Sequence, residues 1–400
     1  MRIKYVSHFG PEGQAVAAKR LMLALVARGV ELTWTPMVVG DRWGLGVEPF
    51  AGCATGDRDL DPLCNRALDY DTVIVHLRPA FYPKWAQVEP GKRLVGHTVW
   101  ETDRVPRHWI PLLNTVSDVV VPSRWNREAF LKAGVQAPVH AIPHVAVSAG
   151  LRRSAGEPHA ERADGAPFVF YTIGTWTARK AIPLLVRCYL ETFTARDPVR
   201  LVLKTTEAAY THVWHQRFYG TRRVWAALRR AAPRLARGAA ATARGLVETM
   251  LRRHHEPPEI TLVTASLDES EVDALHRDGD CFVSLTHGEG WGLGAFDAAA
   301  HGTPVIITGF GGQMEYLDPA RAGIVGYDLV PVRDDNDPAN FRRDQRWAVP
   351  RLREAAELMR SVVARPAEWR ERAVDLRRSV VMAYNGERVS SLLLAALGRE

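Results

Sequence analysis

The residues best suited to chemistry lie in one stretch, His287 to Ile306, which reads HGEGWGLGAFDAAAHGTPVI. It sets glycines at 288, 290, 292 and 294 around Glu289 and places a second carboxylate, Asp297, eight residues further on. With the preceding CFVSLT it reads as a buried strand, a glycine-rich turn and a helix that stops at Gly302. The first N–H groups of such a helix lack intrahelical partners, and its dipole puts partial positive charge there. The turn therefore favours an anion, phosphate first among them. Glycines remove the Cβ atoms that would hold a ligand off this backbone. The two carboxylates are acceptor-only groups bordering one pocket, which suits a ligand that carries hydroxyls beside its phosphate. The competing reading is structural: a glycine turn, with Asp297 simply favouring the helix dipole.

Other candidates are scattered along the chain. Arg179 and Lys180 form a basic pair in GTWTARKAIPLL, just after the strand FVFYTIG. Gly13 lies in FGPEGQ, at the first strand-to-helix turn. His76 ends the strand TVIVHL, and His97 lies in the following strand, RLVGHTVW. A lone strand-end histidine is more often structural, but two on consecutive strands face one crevice. Trp43, Phe81, Tyr82 and Trp85 offer aromatic faces that suit either ring stacking or packing. Glu101 and Asp103 offer carboxylates to an acceptor's hydroxyls or amines. Asp334–Asp335 and the run DRDLD read as solvated loop acids, so no required metal ion is expected.

The elements that position these groups follow from composition and periodicity. At 400 residues the chain exceeds what one core serves, and 46% hydrophobic with 24% charged residues is the balance of a soluble globular protein. No run approaches the roughly 18 apolar residues of a membrane-spanning helix. The four cysteines lack disulfide or zinc spacing, which favours a reduced, cytoplasmic setting. The net charge of +7 suggests an anionic partner, and much of it lies in the arginine-rich segment 217–253. That segment reads as a pair of helices with solvated arginine faces; the sharper reading is peripheral contact with an anionic membrane face. No nucleic-acid motif accompanies it.

Short Val/Ile-rich strands alternate with helical stretches, the pattern of buried parallel strands in a doubly wound α/β fold. Strands are expected at 72–77, 93–100, 118–123 and 139–147, and a helix at 182–196. A polar Gly/Ala/Pro-rich segment interrupts the alternation, which then restarts. The division expected is a first Rossmann-like domain over 1–147, a linker over 148–167, a second domain over 168–383, and a terminal helix over 384–400 packing back toward the first.

In this order the motifs resemble those of the retaining glycosyltransferases of family 4, which have the GT-B fold of two facing Rossmann-like domains around a cleft. The likeness covers most of the chain. It implies that Glu289 contacts the donor hexose and Asp297 the ribose hydroxyls, although the family usually has glutamate at the second position. It further implies that the backbone at Gly290, Trp291, Gly292 and Leu293 meets hexose and phosphate. Arg179 and Lys180 would hold the diphosphate, Gly13 would approach it, and His76 would lie near the reacting centre. Ser123, Arg124 and Asn126 would line the cleft, and ASLDESEVDAL would lie near the nucleobase. On the first domain, the acceptor would meet His97, Glu101, Asp103, Trp43 and Tyr82. The implied reaction is metal-independent, front-face transfer of a hexose or amino-hexose from a UDP- or GDP-linked donor. The acceptor would be a cell-envelope glycan or lipid, or a small natural-product scaffold. A sugar-nucleotide epimerase, a phosphorylase and a non-catalytic sugar-nucleotide-binding protein share this architecture, and fold alone does not separate them.

Overall fold

The computed structural model describes residues 1–40, 43–147, 165–209, 242–334 and 337–398. The expected linker and the arginine-rich segment fall largely outside these residues; of the latter, α6 below is described.

The first domain runs β1 (Arg2–His8), α1 (Gly13–Ala27), β2 (Glu31–Val39), β3 (Val47–Pro49), β4 (Thr72–His76), α2 (Tyr82–Val88), β5 (Arg93–His97), α3 (Trp109–Leu113), β6 (Asp118–Val121), α4 (Arg124–Lys132) and β7 (Val139–Ala141). Its sheet has the order β3-β2-β1-β4-β5-β6-β7 and is parallel except for the β2–β3 pair. β4 and β6 are buried along their whole length, which explains their unbroken Val/Ile runs.

The second domain runs β8 (Phe168–Ile173), α5 (Ile182–Thr192), β9 (Val199–Lys204), α6 (Ala243–Leu251), β10 (Glu259–Val263), α7 (Glu269–Asp278), β11 (Cys281–Ser284), α8 (Leu293–His301), β12 (Val305–Thr308), β13 (Gly323–Val325), β14 (Tyr327–Pro331), β15 (Arg346–Pro350), α9 (Leu352–Ala364) and α10 (Pro366–Ala383). Its parallel sheet has the order β10-β9-β8-β11-β12-β13, and β14–β15 form a separate antiparallel hairpin. The last helix, α11 (Gly386–Ala396), starts at an Asn385 cap and returns to the first domain. There Val389, Leu393 and Leu397 join the core of Ile3, Leu21, Leu25 and Trp34.

Several local expectations shift. The strand expected over 139–147 ends at Ala141, ahead of Pro143, which has no N–H to donate to a ladder. β5 stops at His97, short of residue 100. α5 ends at Thr192 because the Asp197 carboxylate takes the N–H and hydroxyl of Thr194, offering the backbone a turn in place of a helix. The β14–β15 hairpin and β13 were not foreseen.

The tail therefore belongs to two domains at once. Leu393→Ala is expected to cost about 2–4 kcal/mol, read as a lower urea midpoint for unfolding of the first domain, with the second domain's transition unmoved.

Candidate functional site between the domains

The glycine turn 288–292 connects β11 to α8 and lies where the two domains meet. Glu289 is buried, and its carboxylate accepts from Lys180 Nζ at 2.6 Å and from Arg179 at 3.0 Å. Burial alone would raise its pKa; the two cations overcome that and hold it down to about 2. Arg179 also donates to the Gly288 carbonyl at 2.7 Å and lies 3.4 Å from Glu101. The basic pair directly precedes Ala181, which adopts a left-handed conformation (φ 49°) at the start of α5. Sequence separation of about 110 residues hides this cluster; the parallel pairing of β8 with β11 assembles it, because both preceding strands deliver their loops to the same sheet edge.

The turn is pinned from two sides. From below, Gly312 N–H donates to the Glu289 carbonyl at 2.8 Å, and Tyr316 donates to the carbonyls of Trp291 and Gly292. Gly311 (φ 122°) and Gly312 allow this approach, since a Cβ at either would strike the backbone of Glu289 or Gly290. From above comes the first domain. A Cβ at Gly288 would strike the Glu101 carbonyl, and one at Gly290 would strike Val99. These two glycines therefore serve the domain interface in this closed arrangement, a correction to the view that they bare the backbone for a ligand alone. The helix itself begins at Leu293, behind Gly292 in a left-handed conformation (φ 82°). The unpaired amides of the helix N-terminus thus start only at the end of the glycine turn. Gly13 opens α1, and a Cβ there would lie 3.6 Å from the Leu293 side chain, so the two glycine turns face each other.

His76 and His97 occupy matched positions in the parallel β4–β5 register, so their rings stack at 3.7 Å. Both are buried, and burial drives both pKa values well below the ordinary 6.5. Tyr5 OH meets His76 Nδ1 at 2.8 Å. His144 closes the group at 6.5 and 6.4 Å, pushed down to about 4, and packs edge-on against Trp291. His144 was not singled out from the sequence, since it lies within the stretch read as a strand over 139–147.

The residues expected on the acceptor side fare differently. Tyr82 is fully buried and donates to the Leu77 carbonyl, so it is core. Trp43 packs edge-on against Trp85. Among the described residues, His97 has no hydrogen-bond partner for either ring nitrogen and faces its histidine neighbours, enclosed away from an acceptor. Asp103 accepts from Arg346 N–H at 2.6 Å across the interface. Glu101 belongs to the Arg179 cluster. Of the expected cleft-lining residues, Ser123 donates to the Gly290 carbonyl at 3.2 Å, Arg124 pairs with Glu315 at 2.9 Å, and Asn126 bonds the Trp100 backbone. All three tie structure together. Asp297 is engaged bidentately by Arg20 of α1, at 2.6 and 3.0 Å. The cavity between Lys180, Glu289, Gly292 and Ala295 measures only about 10 Å³. A larger one of about 460 Å³ lies elsewhere, against β8, β9 and α7, and holds none of these groups.

Two parallel-sheet α/β domains facing each other across a glycine turn of this kind define the GT-B class. Residues 218–390 match the model of the family described as "Family 4 Glycosyltransferase in conflict systems". The fold is GT-B, and the matched stretch, less than half of the chain, is similar to this glycosyltransferase family. Over 107 residues it is 34% identical to a glycogen synthase of Mycobacterium tuberculosis; that match spans 25% of this chain and about a quarter (26%) of the relative's length. Among solved structures, Anabaena Alr3699/HepE in complex with UDP-glucose superposes with a TM-score of 0.59 at 14% identity, covering 100% of this chain and 99% of that one. A sucrose-phosphate synthase from Thermosynechococcus elongatus gives 0.60 at 16%, covering 99% and 98%.

The buried histidines make stability depend on pH. Between about pH 4 and 6.5 the unfolded chain binds protons at these imidazoles and the folded chain does not, so stability falls as pH drops through that window. Thermal melts from pH 7 to pH 4.5 should show a declining Tm, with a shallower decline in His144→Gln.

Proposed function

We propose that the protein is a retaining glycosyltransferase that moves a hexose from a UDP-sugar to a hydroxyl acceptor without a metal ion. The observation that carries this reading is the clamp of Lys180 and Arg179 on buried Glu289, at the glycine turn that opens into α8. Two cations and a helix N-terminus are what a departing nucleotide diphosphate needs, since negative charge grows on its β-phosphate as the anomeric bond breaks. A diphosphate would draw Lys180 and Arg179 toward itself and leave the Glu289 carboxylate to accept from the hexose hydroxyls. Cation and carboxylate thus exchange each other for matching parts of one ligand.

In the step proposed, the C1–O bond to the β-phosphate breaks with its electron pair going to the phosphate oxygen. The acceptor oxygen bonds C1 on the same face, and its proton passes to that phosphate oxygen. His76, neutral and braced by Tyr5 and His97, positions the sugar and is not the base. The acceptor is a hydroxyl of a glycan, a lipid-linked sugar or a small polyol scaffold.

A thermal-shift panel of UDP-, GDP-, ADP- and TDP-sugars tests the reading: UDP-sugars should raise Tm, and silence across the panel sinks it. Retention is read from the anomeric configuration of the product by NMR. Lys180→Ala should lower kcat by about 10²–10³-fold, the scale of removing one preorganised donor from a developing oxyanion, and should also weaken UDP binding. His76→Ala should cut turnover by about a hundredfold through misplacement of the sugar, with UDP affinity nearly unchanged; equal loss in both would make it a binding residue only.

A further inference from the structure

Asp297 stands where a ribose-binding carboxylate is expected, yet both its oxygens are spent on the Arg20 guanidinium of the other domain, at 2.6 and 3.0 Å. The pair is largely enclosed, with side-chain exposures of 19% for Arg20 and 8% for Asp297. Its neighbour on α1, Lys19, reaches Glu269 at the start of α7 at 3.1 Å while also holding Asp57 and Asp59 of its own domain. Consecutive residues of one helix therefore stitch the first domain to two helices of the second. Arg20 lies two turns into the helix that Gly13 opens, and Asp297 one turn into the helix that Gly292 caps. The bond between them sets the separation of the two glycine turns. With that bond made, the cavity beside Glu289 measures about 10 Å³, room for about one water and far too little for a nucleotide sugar.

We propose that Arg20 and Asp297 form an interdomain latch that keeps the donor cleft shut in the empty protein, with Asp297 anchoring Arg20 and not binding ribose hydroxyls. This rests on the nucleotide-sugar reading for the identity of the incoming ligand, but the latch itself is a property of the free chain. A donor enters only when the guanidinium lets go, so the apparent affinity is reduced by the fraction of molecules that are open. Arg20 is thus a positioning residue. The shorter Asp297 fits the role, because its carboxylate stays close to the α8 axis and within a two-pronged grip of the fork.

Two measurements decide it. Small-angle X-ray scattering without nucleotide should show Arg20→Gln, Asp297→Asn and the apolar pair Arg20→Met/Asp297→Leu all more expanded than the parent chain, and the charge swap Arg20→Asp/Asp297→Arg returned toward the compact profile. The apolar pair leaves no buried charge unpaired, so it reports on the latch even if a single variant folds poorly. Profiles of the apolar pair that overlay the parent overturn the proposal. Calorimetric titration with UDP and 2′-deoxy-UDP should give affinities that are held or raised in the Arg20→Gln and Asp297→Asn variants, with little preference between the two nucleotides. A loss of tenfold or more in Asp297→Asn alone, with strong discrimination against the deoxy nucleotide, would restore Asp297 as the ribose ligand. If UDP binds none of these proteins, the proposed function fails while the scattering still decides the latch.

Discussion

A carboxylate withdrawn from water must be matched by charge or it gives up its ionised form, and Glu289 is the place where this fold meets that demand. Lys180 and Arg179 satisfy it from a loop about 110 residues earlier in the chain, and Arg179 in turn bonds the Gly288 carbonyl and approaches Glu101 of the other domain. Three segments thus converge on one buried anion. Removing any partner would leave an uncompensated charge inside, so the turn, the basic loop and the domain interface hold one another in place. The buried carboxylate in turn keeps both cations oriented toward the glycine turn.

The same economy governs the glycines. A turn that needs close approach from beneath by 311–312 and from above by 99–101 leaves no room for Cβ atoms on either side. Bare backbone here allows two domains to press against a loop, and the unpaired amides of a helix N-terminus begin only at α8. Tyr316, donating to two carbonyls of the turn, and Trp291, packed among Phe296, Tyr316 and Tyr384, make this loop rigid.

The histidine stack shows how register carries function. Parallel strands with no offset put His76 beside His97 on the same face, and both must be neutral to lie ring upon ring in a dry interior. Such a pair is a poor base and a firm wall. Tyr5, whose own pKa is driven up by burial, stays protonated and braces the stack through His76 Nδ1.

Much of this was legible along the chain. Continuous Val/Ile runs announced the parallel sheets, and the strand–turn–helix of 281–301 located the glycine turn, Glu289 and the helix that follows the turn. Arg179 and Lys180 were readable as a cation pair by their place after β8. The pair Lys19–Arg20, set within the apolar run of α1, was a signal for buried charge that went unread. What the order of residues determined is local: which segments pair, which turn is bare of side chains, which groups carry charge. Which charge answers which was decided only in three dimensions. The partners of Glu289 and Asp297 lie on other elements or another domain, and the strength of an ion pair depends on distance and burial, neither of which is a property of sequence spacing.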